Sequence, residues 1–263
     1  MSEAFDLHWN RGWEFYEAAK FEEAVIEWRE AGSLDPKDGY VAHNIGRALS
    51  SLGREEEAIL QWREAVRLEP DYDKPHRSLA YALSESGSLE ALAAVRAAIP
   101  LCPDSADLHV WLGYHLIAET QIDGHYGDKA DYDAAAAAFQ RAIDLNYSNF
   151  YAFHCLSRLQ EQLGRWQEAI DTLKAAVADD PNSAEAHIAL WECQGRAFWR
   201  GRNRIATLQG AMQTAEAMNK LPESEALARH YEQLDRLSRR LLITVFIVAG
   251  TAIVLMLRRQ KRT

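Results

Sequence analysis

Apolar residues recur along most of the chain at the three- and four-residue spacing of an amphipathic helix, and small residues punctuate them at fixed intervals. The stretches "FEEAVIEWREAGSLDP", ending at Pro36, and "EEEAILQWREAVRLEP", ending at Pro70, match at an offset of 34. "SLEALAAVRAAIPLCP" to Pro103, "YDAAAAAFQRAIDLNY" to Tyr147 and "WQEAIDTLKAAVADDP" to Pro181 share the form. Each copy carries two alanines seven residues apart: Ala24 and Ala31, Ala58 and Ala65, Ala91 and Ala98, Ala135 and Ala142, Ala169 and Ala176. Seven residues make about two turns, so each pair lies on one face, where small side chains let a neighbouring helix approach. Proline lacks an N–H and restricts the residue before it, so it ends the helix. About 17 residues upstream of each pair runs a second amphipathic stretch, such as "YVAHNIGRALSSLG" or "NFYAFHCLSRLQEQLG". One such helix pair cannot bury its apolar face alone, so the copies must stack.

This pattern resembles the tetratricopeptide repeat (TPR), a helix–turn–helix unit, over roughly residues 5–200. The resemblance implies an all-α fold: a right-handed TPR superhelix, a helix–turn–helix solenoid with a concave groove. Its copies fall at about 5–38, 39–72, 73–105, 106–149 and 150–183, with a degenerate sixth from Ala184. The third copy is one residue short in its turn, and the fourth carries about ten extra residues, "QIDGHYGDKA", between its helices. The glycine usual in the first helix is present as Gly12, Gly46 and Gly113 but is Ala80 and Ser157 in the third and fifth copies. Residues 202–240 read as two capping or juxtamembrane helices, with Pro222 starting the second. There Leu227, Tyr231, Leu234 and Leu241 form a stripe that caps the last repeat or, alternatively, pairs with another chain.

In the TPR family the first helix of each repeat lines the groove, near positions 2, 5, 9 and 12. Transferred here, the resemblance implies a partner-binding row of Trp9, Trp13 and Tyr16, then Tyr40, His43 and Arg47, then Lys74, Arg77 and Tyr81. Val110, Tyr114, Tyr151, His154 and Arg158 complete it. The row is aromatic and basic, which suits a protein or peptide with apolar anchors and some negative charge. Trp28 and Trp62, on second helices, are expected in the core. The polar clamp by which some TPR proteins hold a chaperone's C-terminal carboxylate is matched at Asn44 and Lys74, whereas Trp9, Trp13 and Ser78 occupy its other places. Two matches of five argue against chaperone docking.

Charge changes the picture at one end. Formal net charge is −10, but from Arg236 onward there are seven basic residues and no acidic one, leaving 39 acidic and 22 basic residues before it. So acidic a body repels phosphate backbones, which speaks against nucleic acid as a partner. Leu241 to Leu257 is an uncharged run of 17 residues flanked by basic ones, followed by the basic tail 258–263. As a helix it would span about 26 Å, and flanking arginines can snorkel to extend it, so it is expected to be a C-terminal single transmembrane helix in the lipid bilayer. The N-terminus, "MSEAFDLHWN", is not a secretory signal. The expected location is therefore a membrane, single-pass, with a cytoplasmic N-terminal domain. Bacterial inner membrane and mitochondrial outer membrane both fit.

Catalytic signatures are missing: there is no GxSxG, phosphate loop, HExxH or CxxC. Cys102, Cys155 and Cys193 read as small buried side chains in a reducing compartment. His8, His76, His109 and His187 share one slot of the first helix and are expected to pack between helices, while Asp123, His125 and Asp128 in the insertion make a weak metal set. The chain is read as a non-enzymatic, cofactor-free scaffold or adaptor, tethered to a membrane and recruiting a soluble partner through its groove. The alternatives are a self-assembling structural TPR protein at a membrane, which makes a homo-oligomer possible, and a receptor of the mitochondrial-fission type.

Overall fold

A computed structural model of the protein describes residues 2–122, 129–145, 150–200, 207, 209–211, 213 and 214. The insertion triad Asp123, His125 and Asp128, most of the expected capping segment 202–240, the apolar run 241–257 and the tail 258–263 lie outside these residues. Among the described residues there is no strand, and no helix is long and apolar enough to cross a membrane. The chain divides into two units, residues 1–147 and 148–263.

The first unit holds four antiparallel helix pairs: α1 (Glu3–Glu17) with α2 (Phe21–Leu34), α3 (Gly39–Ser51) with α4 (Glu55–Leu68), α5 (Asp73–Glu85) with α6 (Ala91–Ala98), and α7 (Ala106–Ile122) with α8 (Lys129–Asp144). The second unit holds α9 (Phe150–Gln162) with α10 (Trp166–Asp179), then α11 (Ala184–Trp199). Within each unit the second helix of a pair packs on the first helix of the next.

Local chemistry sets the helix ends. Asp38 caps α3, its Oδ1 accepting from the N–H groups of Tyr40 and Val41 at 2.7 and 3.1 Å, and Ser2 and Ser183 cap α1 and α11. Glu55, Glu56 and Glu57 fill the first turn of α4, where the helix dipole favours them. Inside four of the five pairs the first helix closes with a left-handed residue: Ala19, Gly53, Gly87 and Gly164, at φ of 56°, 73°, 66° and 71°. The next N–H reaches back to a carbonyl five residues upstream, as Lys20 N to Phe15 O at 2.9 Å and Arg54 N to Leu49 O at 2.9 Å. Helix α6 stops early, at Ala98, because Pro100 cannot continue it.

The paired alanines are the seam of the stack. Nine of the ten are fully buried and the tenth, Ala176, is 4 % exposed. Midway between them sits one large residue that packs against the first helix of its own pair. Trp28 lies so close to Gly12 that a Cβ there would come 2.3 Å from its Nε1; for Gly46 against Trp62 and Gly113 against Phe139 the distances are 2.5 and 2.7 Å. Where the glycine is replaced, the opposing residue shrinks: Ala80 clusters with Val95, and Ser157 goes with Leu173, all nearly inaccessible. A larger side chain on the first helix thus goes with a smaller one opposite it.

Candidate functional site

The first helices of the first unit meet around one cleft of about 570 Å³, bordered by Tyr16 of α1, Arg47, Ser50 and Ser51 of α3, Arg77, Ser78 and Tyr81 of α5, and Asp107 and Trp111 of α7. Trp62 of α4 reaches it from behind. Its walls are aromatic: Tyr81 and Trp111 lie 5.5 Å apart between centroids, and Tyr81 is 49 % exposed. Arg47 stacks over Trp13 and Tyr16 at 5.5 and 4.8 Å, which fixes the guanidinium without neutralising it. Among the described residues Arg47, Lys74 and Arg77 have no carboxylate partner, whereas Arg11, Arg54, Arg63, Arg67 and Arg141 of the same unit all do. Trp62 adds a buried Nε1 with no acceptor; the equivalent Trp28 donates to Trp9 O at 3.3 Å.

His43 senses this field. It is 3 % exposed, and its Nδ1 shares a hydrogen bond with Tyr72 Oη at 3.2 Å. Burial first, then the charges of Arg47, Lys74 and Arg77, hold its pKa down at about 4, with Asp73 opposing. Tyr72 is pushed up to about 12, mainly by burial.

The second unit has a smaller cleft of about 330 Å³ beside His154, Arg158, Glu161, Glu192 and Arg196. Here charge is balanced internally. The Glu161 side chain, 6 % exposed, accepts from Arg196 Nε and Nη2 at 2.9 and 2.8 Å and from Arg158 Nη1 at 3.3 Å. Arg196 also reaches Glu192 at 3.2 Å. Burial lowers the pKa of His154 and raises that of Cys193.

The expected row is therefore split. Tyr16, Arg47, Arg77 and Tyr81 border the first cleft, and His154 and Arg158 the second. Tyr40, Lys74, Tyr114 and Tyr151 are exposed elsewhere on the first helices. Trp9 and Trp13 are half-buried in an aromatic cluster with Phe5 and Trp28, so packing engages much of their surface. Two residues leave the row: His43 and Val110 are 3 % and 2 % exposed. Both occupy the fifth position of their helix, where Arg77 of α5 and His154 of α9 are exposed; His43 is covered by the ring of Tyr72, at 5.2 Å between centroids. Asn44, one of the two clamp matches, is also buried, and its Oδ1 accepts from Arg47 at 3.5 Å.

The shared histidine slot has a structural task. His76, His109 and His187 direct Nε2 to the carbonyls of Pro70, Pro103 and Pro181 at 2.8, 3.0 and 3.1 Å, stapling each helix to the turn before it. His8 instead contacts Glu27 at 2.7 Å. Cys193 is buried and Cys102 and Cys155 are partly so; all are free thiols. Among the described residues no three His, Cys, Asp or Glu side chains converge as a metal site would require.

Two family models described as tetratricopeptide repeat match the chain, at residues 125–187 and 40–72. The chain carries tetratricopeptide repeats. Solved structures with the same fold include MamA, at a TM-score of 0.60 and 19 % identity, covering 70 % of this chain and 96 % of that one. A tetratricopeptide repeat protein from Parabacteroides merdae ATCC 43184 superposes with a TM-score of 0.60 at 15 % identity, covering 81 % and 80 %. YrrB, described as a TPR protein with an unusual peptide-binding site, gives 0.55 and 19 %, covering 78 % and 97 %. At these identities the likeness is one of fold. No curated protein matches the chain.

Proposed function

We propose that this protein is a membrane-tethered interaction scaffold that recruits a soluble protein through the cleft of its first unit. The observation that carries this reading is the cleft itself, where exposed Tyr81 stands beside Arg47 and Arg77, cations that form no ion pair among the described residues. Exposed aromatic rings and unpaired arginines are the residues that dominate binding energy at protein interfaces. Support also comes from YrrB, which shares the fold and has a peptide-binding site by its own description. The tether rests on the apolar, base-flanked run Leu241 to Leu257. Holding a weak binder in a thin layer at a surface raises its effective concentration, so recruitment needs no catalysis.

The test uses the full chain in its native membrane. Ser78→Trp fills the cleft, and Ile26→Trp adds the same bulk on the 58 % exposed outer position of α2. Soluble proteins that co-purify with the parent chain should be lost with Ser78→Trp and kept with Ile26→Trp. The opposite result removes the cleft from the account. Alkaline carbonate should leave the full chain in the membrane pellet; its release would rule out the tether.

A further inference from the structure

We propose that the first-unit cleft binds a carboxylate side chain of the partner protein between Arg47 and Arg77, beside Ser50. This rests on the reading of that cleft as the partner site.

The fifth repeat supplies a template for the Arg47 side of this arrangement; at the same offset Arg77 corresponds to Ile188. Tyr40, His43 and Arg47 of the second repeat recur as Tyr151, His154 and Arg158 of the fifth, 111 residues on. Three residues after Arg158 stands Glu161, buried and gripped by two arginines. Three residues after Arg47 stands Ser50, too short to reach a guanidinium, and the cleft opens there. One repeat thus holds internally the anionic group that its counterpart lacks. Arg47 is already held by Trp13 and Tyr16, so little side-chain freedom is lost when an anion arrives. The positive field at this place is felt by His43, whose proton Arg47, Lys74 and Arg77 all help to repel. At His43 the one opposing carboxylate is Asp73, and Asp107 borders the cleft; among the described residues neither forms an ion pair with any of the three. Tyr81 and Trp111 beside Arg77 offer apolar cover for the residue flanking the carboxylate.

A carboxylate on a peptide fits better than a polyanion. Residues 1–147 hold 27 acidic and 13 basic residues, so a nucleic acid would meet a repulsive body around a small basic cleft. A charge-assisted bond to an arginine contributes enough that removing the charge should weaken binding about tenfold or more.

The experiment uses the full chain in mild detergent, read by fluorescence anisotropy and thermal melting. The probe is an acetylated, amidated peptide with glutamates flanking phenylalanine, compared with its glutamine counterpart, inorganic phosphate and a single-stranded oligonucleotide. The glutamate peptide should bind, and both the glutamine peptide and Arg77→Gln should weaken binding about tenfold or more. Ser50→Glu supplies an internal partner for Arg47; it should abolish peptide binding and raise the melting temperature. Ser50→Gln fills the same volume without charge and should keep binding within about threefold. Four results overturn the proposal: equal binding of the two peptides, no binding of either, phosphate or oligonucleotide bound as tightly as the glutamate peptide, or Ser50→Gln blocking as fully as Ser50→Glu. If the glutamate preference is absent while Ser78→Trp still removes partners, the carboxylate assignment falls and the partner site stands.

Discussion

Replacing Gly46 by alanine sets two physical effects against each other. Gly46 lies inside α3, and for an uncrowded helix interior the change should stabilise by about 0.8–1.0 kcal/mol. The new Cβ, however, would lie 2.5, 2.7 and 3.0 Å from Nε1, Cδ1 and Cε2 of Trp62. Ordinary carbon contacts need about 3.5–4.0 Å, so ring and helix must separate by roughly 1 Å. Trp62 is 3 % exposed and cannot swing aside without leaving the core. Overpacking of this kind costs about 1–3 kcal/mol, and the rigidity of both partners places it toward the upper end. We therefore expect Gly46→Ala to destabilise by about 1–2 kcal/mol net. Trp62→Val alone should cost about 3 kcal/mol through the cavity it leaves. In the double variant, which recreates the Ala80 and Val95 pair of the third repeat, the alanine should become neutral or favourable, a coupling of about 2 kcal/mol. Urea unfolding of the full chain in mild detergent, followed by far-ultraviolet circular dichroism, measures all three. Stabilisation by Gly46→Ala alone, or simple additivity in the double variant, would refute the crossing-volume argument.

Two further outcomes follow from local geometry and charge. Ala19 holds φ of 56°, where a Cβ is strained and the three equivalent turns use glycine, so Ala19→Gly should raise the unfolding free energy by a few tenths to about 1 kcal/mol; a loss would contradict the turn assignment. His43 is held at about 4 against its ordinary 6.5, so the unfolded chain takes up a proton that the folded chain refuses. Stability is then whole above about 6.5 and falls as pH drops toward 4, by at most about 3 kcal/mol. The acid-side fall in melting temperature should be smaller in His43→Gln, and an unchanged slope would show that His43 does not titrate in this window.

The repeats were legible because a small residue every seventh position has one geometric meaning on a helix. The ten alanines do sit at the seam. The pairing of Gly12 with Trp28, and of its shrunken counterparts Ala80 with Val95 and Ser157 with Leu173, was visible in the letters but needs both helices in register to be noticed. The histidine slot's place between helices follows from its register, whereas its bonds to the proline carbonyls depend on the turn geometry. The site was half legible. A register rule placed His43 and Val110 beside Arg77 because it counts positions and does not include what packs over them, as Tyr72 does over His43. It also treated Arg47 and Arg158 as equals; Glu161, at position 12 of α9, pairs with Arg158, whereas Ser50 holds that position in α3.

The account stands on the first helices facing the partner while the second helices face away. A photo-crosslinking phenylalanine analogue placed at Tyr81, and in separate chains at Ile26 and Leu60, tests this directly in intact membranes. Tyr81 is 49 % exposed in the cleft, and Ile26 and Leu60, 58 % and 60 % exposed, mark α2 and α4. The account predicts a protein adduct from Tyr81 that the glutamate peptide competes away, and none from Ile26 or Leu60. Adducts from Ile26 and Leu60 with none from Tyr81 would contradict it.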